Sequence, residues 1–381
     1  MNIDIDYILE RGVAKILPDK NSLAKLMSRK KITLFQGFDP TAESLHVGHF
    51  IGIRKLAQFQ KLGHKVIFLI GDFTAMIGDP TDKSGVRRRL TRQEVLNNLK
   101  KYKSQAESVL DFTGKNNAEV MFNSTWLSKL NFEDVLELMS HFTVQQMLER
   151  DFFRKRLSEE KPIYMSEFAY PLMQGYDSVA MGVDLEVGGS DQLFNMLAGR
   201  HLMAEIKGKE KFVLSLKLLE STDGKKMGKT EGNAINLDES PDQIYAKVMS
   251  LPDGFLKLGI ELLTDLPLTK NIESDPLNAK KLWAFELVKQ THGEDKATLA
   301  QKAFEQTFQQ GAPEYKDKVG YADHLVEIVS EVVGSKSEAK RLILGGAVDV
   351  NEETITDINF KLVGGEKVKI GKKNFLQVSK N

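Results

Sequence analysis

Cysteine is absent from all 381 residues, which excludes disulfides, thiolate metal sites and a cysteine nucleophile. Net charge is absent too: 53 Lys and Arg balance 53 Asp and Glu, so no global field marks a nucleic-acid partner. Any RNA contact has to come from local patches. Long apolar runs are also missing. The longest, such as Val66–Gly71, are far too short to cross a bilayer. The first residues, MNIDIDYILERGVAKIL, are acidic and lack the basic-then-apolar order of a signal peptide, so a cytoplasmic protein without a membrane partner is expected. What is present is ordinary globular composition, 41% hydrophobic and 28% charged, in a chain long enough for two or three domains.

Strands and helices alternate through the first half. Ile32–Phe38 reads as a strand, Val47–Leu62 as a helix and Lys65–Gly71 as a buried strand, which is a βαβ unit with a parallel sheet. Thr91 with Glu94 forms a capping box opening a helix to about Leu110. Glu119–Phe122, Asp184–Val187 and Val213–Leu216 read as further strands, with helices from Ser166 to about Met181 and over Ser190–Ile206. Short helices capped at Asn131 and over Val144–Arg150 interrupt the sheet. From Pro241 the pattern is helical only, over Pro241–Ser250, near Phe255–Leu263, and over Pro276–Thr291 and Asp295–Gln309. Gly311–Gly320, with Pro313 and many charges, reads as a linker, followed by helices and short strands to Asn381. The expected architecture is α/β: a Rossmann-like parallel-sheet domain over 1–232 with a helical insertion at about 123–161. A helical domain over 233–312 and a small α+β module over 321–381 follow.

Two segments carry chemistry. The strand ending at Phe38 runs through Asp39-Pro40-Thr41 into His46-Val47-Gly48-His49, where a helix begins. Helix N-termini attract phosphate through free N–H groups and partial positive charge. Gly48 lets a purine or ribose approach the backbone, and His46 and His49 are placed to hydrogen-bond phosphate and ribose oxygens. Alone, this short motif fits equally well two surface histidines on an ordinary turn. The second segment, Asp223 to Gly232, is a Gly- and Lys-rich loop after the last sheet strand. Lys226 and Lys229 could clamp pyrophosphate as its charge develops; a solvated basic loop is the ordinary alternative.

Together, His46 to His49 resemble the HIGH motif and Lys226 to Thr230 the KMSKS motif of class I aminoacyl-tRNA synthetases. Gly37-Phe38-Asp39-Pro40-Thr41-Ala42, Ile77-Gly78-Asp79-Pro80-Thr81 and Gly188-Gly189-Ser190-Asp191-Gln192 resemble the tyrosyl family over essentially the whole chain. That resemblance implies activation of tyrosine by ATP, then transfer to the 3′ end of tRNA(Tyr). Mg²⁺ accompanies ATP, and no tightly bound prosthetic group or protein metal site is needed. His46, His49, Lys226, Lys229 and Thr230 would act on the phosphates. Gly48, Gly189 and Asp191 would join them in holding ATP. Tyr170, Gln174 and Asp177 fall at i, i+4 and i+7 on one helix and share a face. By resemblance Asp177 takes the phenol, Tyr170 and Gln174 the ammonium, with Thr74 and Asp79 beside it. Asp39, Asp191 and Gln192 would contact the activated amino acid or the ribose and phosphate of the adenylate. The family commonly has tyrosine where this chain has Phe35, so Asp177 is left to recognise the phenol alone or with water.

The tail points to RNA. Lys361 to Asn381 holds six lysines and one glutamate. Ser335 to Val348 resembles the RNA-binding domain shared with a ribosomal small-subunit protein, and Lys336, Lys340 and Arg341 would offer cations on one helix face. The cluster of Arg87, Arg88, Arg89 and Arg92 suits pyrophosphate or a tRNA end, or is simply solvated. Phe132, Leu136, Phe142, Val144 and Met147 exceed what a small insertion buries, which suggests a homodimer, as in the resembling family. A tryptophanyl enzyme on the same scaffold, a simpler nucleotidyltransferase and a non-catalytic RNA-binding protein on a synthetase scaffold are the alternatives.

Overall fold

The structure, a computed structural model, describes residues 4–79, 90–224, 227, 234–269, 271–308, 317–371 and 374–379. Three of the singled-out residues, Lys226, Lys229 and Thr230, lie outside them, as do Arg87, Arg88 and Arg89. The chain divides into two compact units, Met1–Thr298 and Leu299–Asn381.

In the first unit, six strands form one sheet: β1 (Val13–Leu17), β2 (Thr33–Phe38), β3 (Lys65–Ile70), β4 (Glu119–Phe122), β5 (Leu185–Gly189) and β6 (Phe212–Leu216). Their order is β1-β6-β5-β2-β3-β4, and all pairs except β1–β6 are parallel. The chain leaves β2 toward β3 and β4 but returns on the other side through β5 and β6. The switch point is therefore between β2 and β5, and a crevice opens beyond their carboxyl ends. β3 and β6 are buried nearly end to end, as continuous apolar runs in a covered parallel sheet should be.

The element boundaries follow local chemistry. The Val47–Lys61 helix starts at His46, which acts as its N-cap, and Thr91 caps the next helix in the expected box with Glu94. That helix does not run unbroken to Leu110: it divides into Arg92–Asn98, a 3₁₀ turn at Leu99–Lys101 and Tyr102–Ala106. The Met165–Met181 helix ends at Gly182 in the left-handed region. The helices Pro241–Ser250, Leu256–Leu263 and Pro276–His292 belong to the same compact unit as the sheet. Arg54 of the Val47–Lys61 helix ties them on, donating to the Leu263 carbonyl at 3.0 Å and pairing with Asp265 at 2.9 Å.

The second unit carries a five-stranded sheet of β7 (Asp317–Val319), β8 (Val348–Val350), β9 (Glu353–Thr354), β10 (Lys367–Ile370) and β11 (Asn374–Val378), ordered β7-β11-β10-β8-β9. The helices Leu325–Val333 and Lys336–Leu344 cover it, burying Leu325, Ile328, Val329, Ala339 and Ile343 against Val348, Val368 and Leu376. β7 corrects the reading of Gly311–Gly320 as a linker: residues 317–319 pair in parallel with β11. Among the described residues no helix is long and apolar enough to cross a membrane.

Candidate active site

A cavity of about 440 Å³ opens at the switch point, lined from the carboxyl ends of β2, β3, β5 and β6 and from the Met165–Met181 helix. Every described residue singled out from the sequence for ATP or tyrosine lines it: Asp39, His46, Gly48, His49, Thr74, Asp79, Tyr170, Gln174, Asp177, Gly189, Asp191 and Gln192. Of the lysine loop, Met227 also lines it, held by its N–H on the Leu219 carbonyl at 2.9 Å.

The histidine turn presets two donors. Gly48 N–H donates to His46 Nδ1 at 3.1 Å, and His46 N–H donates to His49 Nδ1 at 3.2 Å. A ring that accepts at Nδ1 carries its proton on Nε2. Both imidazoles, 3.9 Å apart between ring centres, thus keep Nε2–H groups as donors at a helix N-terminus.

Across the cavity a chain of hydrogen bonds joins the carboxylates. Thr74 Oγ1 donates to Asp39 Oδ1 at 2.7 Å, and the Tyr170 hydroxyl donates to Asp39 Oδ2 at 2.8 Å. Asn123 Nδ2 reaches Thr74 Oγ1 at 3.0 Å and Asp177 Oδ2 at 3.3 Å. Trp126 Nε1 donates to Asp177 Oδ1 at 2.7 Å. Gly71 makes the Asp39–Thr74 contact sterically possible, since a Cβ there would sit 1.9 Å from Asp39 Oδ1.

Charge is unevenly matched. Asp79 pairs with the buried Arg150 at 3.3 Å and accepts from Gln192 Nε2 at 2.6 Å. Glu186 pairs with the buried Lys211 and accepts from Gln174 Nε2 at 3.0 Å. Asp39 and Asp177, by contrast, are hydrogen-bonded by neutral groups. Burial pushes the Asp39 carboxyl up to about 7, with Asp79 and Asp72 adding and the Thr74 and Tyr170 hydrogen bonds opposing. Burial likewise holds Asp177 well above the carboxylate range, against its bonds from Trp126 and Asn123. A cavity so arranged favours a ligand that brings one cationic group and one neutral hydroxyl.

Comparison with known proteins places this geometry. The model of class I tRNA synthetases of the W and Y group matches residues 27–309, and the S4 domain matches residues 327–368. A tyrosine–tRNA ligase from Aquifex aeolicus is 44% identical over 386 residues, 97% of each chain. The chain belongs to the tyrosine–tRNA ligase family. Another member, from Carboxydothermus hydrogenoformans, is 43% identical over 97% of this chain and 96% of its own. A C-terminally truncated mitochondrial tyrosyl-tRNA synthetase from Aspergillus nidulans has a TM-score of 0.68 at 25% identity, covering 80% of this chain and 94% of that one. The expected fold class, a parallel-sheet synthetase core with a small α+β module, is the one observed.

Several residues around this cavity escape a sequence reading. Asn123 and Trp126 supply the protein partners of Asp177, and Arg150 neutralises Asp79. All three fall in the segment read as a helical insertion, which therefore furnishes part of the cavity as well as its own helices. Trp126 is one of only two tryptophans, a weak signal on its own. Glu186 left a better one, a charge set inside the β5 strand with 2% exposure, whereas Lys211, with 0% exposure, follows Lys209 and Glu210 in a charged stretch directly before β6 and left none.

Proposed function

We infer that this chain activates L-tyrosine with ATP, forming tyrosyl-adenylate and pyrophosphate, and transfers the tyrosyl group to the 3′ end of tRNA(Tyr). The observation that carries this reading is the placing of the paired histidine donors and the Asp39–Thr74–Asn123–Asp177 chain in one cavity at the switch point. Tyrosine fits with its ammonium at Asp39, flanked by the Tyr170 oxygen and the Gln174 carbonyl, and its phenol at Asp177. Asp79, already balanced by Arg150, would act through its hold on Gln192. The tyrosine carboxylate then attacks the ATP α-phosphorus in line. His46 and His49 would stabilise the phosphates, with Lys226, Lys229 and Thr230 of the following loop and the Mg²⁺ that accompanies ATP. Gly48, Gly189 and Asp191 would border the nucleotide. Positioning and electrostatics supply the barrier reduction, and no side chain becomes covalent.

Asp39 makes tyrosine use pH-dependent, and the sign follows from its raised value. The unfolded carboxyl, near 3.8, gives up its proton first, so Asp39 lowers folded-state stability as pH rises from about 3.8 to about 7. A bound ammonium prefers the ionised form. The KM for tyrosine is therefore expected to fall as pH rises through about 7, by up to about tenfold per unit below it, and Asp39→Asn should flatten that limb. A parent profile flat from pH 6 to 8 would remove Asp39 from ammonium recognition.

The C-terminal unit would bind tRNA through Lys336, Lys340 and the lysines after Lys361. Arg341 is engaged with Glu338 at 2.8 Å, which leaves the two lysines as the simpler phosphate contacts of that helix. Because β7 belongs to the second sheet, a clean deletion has to cut between residues 308 and 317. That truncation should keep tyrosine-dependent pyrophosphate exchange within a few-fold and lose most tRNA charging. Normal charging by the truncated protein would contradict the RNA-binding role.

The protein would work as a homodimer in the cytoplasm. On the Phe132–Ser140 helix, Phe132, Leu136 and Met139 share one face at i, i+4 and i+7, and Phe132 is 77% exposed. Val144 is exposed as well, whereas Met147 is buried and Phe142 half-buried against the Met165–Met181 and Leu193–Lys207 helices. Sedimentation at micromolar concentration should give a dimer, and Phe132→Glu with Leu136→Glu a monomer. A monomeric parent would overturn the assembly.

A further inference from the structure

We propose that Lys211 is a positioning residue for tyrosine recognition: its buried ammonium pairs with Glu186, and the Glu186 carboxylate holds the Gln174 amide with its oxygen toward the cavity. This rests on reading the cavity as the tyrosine pocket.

Lys211 stands directly before β6 with 0% of its surface exposed, and Glu186 lies on β5 with 2% exposed. Lys211 Nζ donates to Glu186 Oε2 and, at 3.2 Å, to the Met196 carbonyl. The other carboxylate oxygen, Oε1, accepts from Gln174 Nε2 at 3.0 Å. An amide has one donating and one accepting end. With Nε2 held by Glu186, the end left for a ligand is Oε1, which attracts an ammonium. Were Glu186 to take up a proton, its O–H would compete to donate to Gln174 Oε1, and the amide could turn to present its NH₂ instead. The charge on Glu186 thus sets the polarity that Gln174 shows to substrate.

The molecule makes room for this pair. A Cβ on Gly199, in the interior of the Leu193–Lys207 helix where glycine is unfavourable, would lie 2.5 Å from Lys211 Nζ and 3.3 Å from Glu186 Oε2. The Phe35 ring, at the position where the family commonly has tyrosine, lies 5.8 Å from the ammonium and presents an aromatic face to it. Other charged groups around Glu186 do not replace Lys211. Asp177 faces it from the Met165–Met181 helix with the same sign, and Arg200 of the Leu193–Lys207 helix donates to Glu210. On the Val47–Lys61 helix, Arg54 is directed at Asp265 and Lys55 at the Ile8 and Arg11 carbonyls. Burial lowers the Lys211 pKa overall, with its contact to Glu186 opposing that shift.

The test is tyrosine-dependent pyrophosphate exchange by full-length protein from about pH 6 to 9, scored as the ratio of variant to parent KM so that Asp39 cancels. Lys211→Met should raise the KM for tyrosine about tenfold at the acid end, with the ratio shrinking as pH rises and kcat changing less than KM. Lys211→Met with Glu186→Gln should restore KM toward the parent value at every pH, because a glutamine carbonyl accepts from Gln174 without needing a charge. A ratio independent of pH, or a double variant no better than the single one, would reduce Lys211 to packing and overturn the proposal. If Lys211→Met does not fold, the charge-neutral pairs decide. Lys211→Met/Glu186→Gln should bind tyrosine about tenfold better than Lys211→Met/Glu186→Leu, and equal KM values would overturn the proposal. A parent enzyme with no tyrosine-dependent exchange would instead sink the pocket reading, so the two failures are distinguishable.

Discussion

Asp177→Ala is expected to lower kcat/KM for tyrosine by at least about tenfold, the worth of one lost hydrogen bond together with the buried partners it leaves unsatisfied. The carboxyl is 2% exposed, and both of its oxygens already accept from protein, Oδ1 from Trp126 and Oδ2 from Asn123. Each oxygen has a second lone pair, so a phenol can still donate; a carboxyl that has taken up a proton would donate to the phenol oxygen instead. Either way one hydrogen bond to the substrate disappears with the side chain. Alanine also leaves the Trp126 and Asn123 donors unpaired in a buried site, which adds to the loss. The preference for tyrosine over phenylalanine should collapse along with activity, because only the hydroxyl distinguishes them. Exchange rates with both amino acids check this, and a melting curve excludes misfolding. An Asp177→Ala protein that still prefers tyrosine would mean that the phenol binds elsewhere.

The second large effect is expected at His46. Removing one preset donor to developing phosphate charge should cost about 10²–10³ in kcat. His46 has a structural duty too, since it caps the Val47–Lys61 helix through Nδ1 and the Gly48 N–H. Losing a cap costs about 1 kcal/mol. Two substitutions separate the roles. His46→Ala should lose both stability and rate, whereas His46→Asn, with a good capping side chain but no Nε2–H, should regain the stability and stay slow. A His46→Asn enzyme as fast as the parent would leave His46 a cap and nothing more.

The contrast between what local sequence shows and what it hides has physical causes. β3 and β6 were legible because parallel strands buried on both faces read as apolar runs, and the Val47–Lys61 helix because its start follows from the turn. Tyr170, Gln174 and Asp177 were legible because helical spacing alone puts them on one face. β1 was not: its Ala14 and Lys15 are exposed, and its pairing with β6 shifts register between Val13 and Lys15, so no period of two survives. β7 was not either, being three residues in a charged stretch whose pairing strand is the distant β11. The partners of Asp177 and Asp79 come from a segment that by its own pattern is only a string of short helices. What makes Asn123, Trp126 and Arg150 part of the site is the sheet that brings them there, and no local period encodes that.

ATP–pyrophosphate exchange driven in parallel by tyrosine, tryptophan and phenylalanine tests the central claim most directly. The Asp39 and Asp177 arrangement predicts rapid exchange with tyrosine, with tryptophan and phenylalanine slower by at least about tenfold at equal concentration. Exchange driven best by tryptophan, or by none of the three, would contradict it.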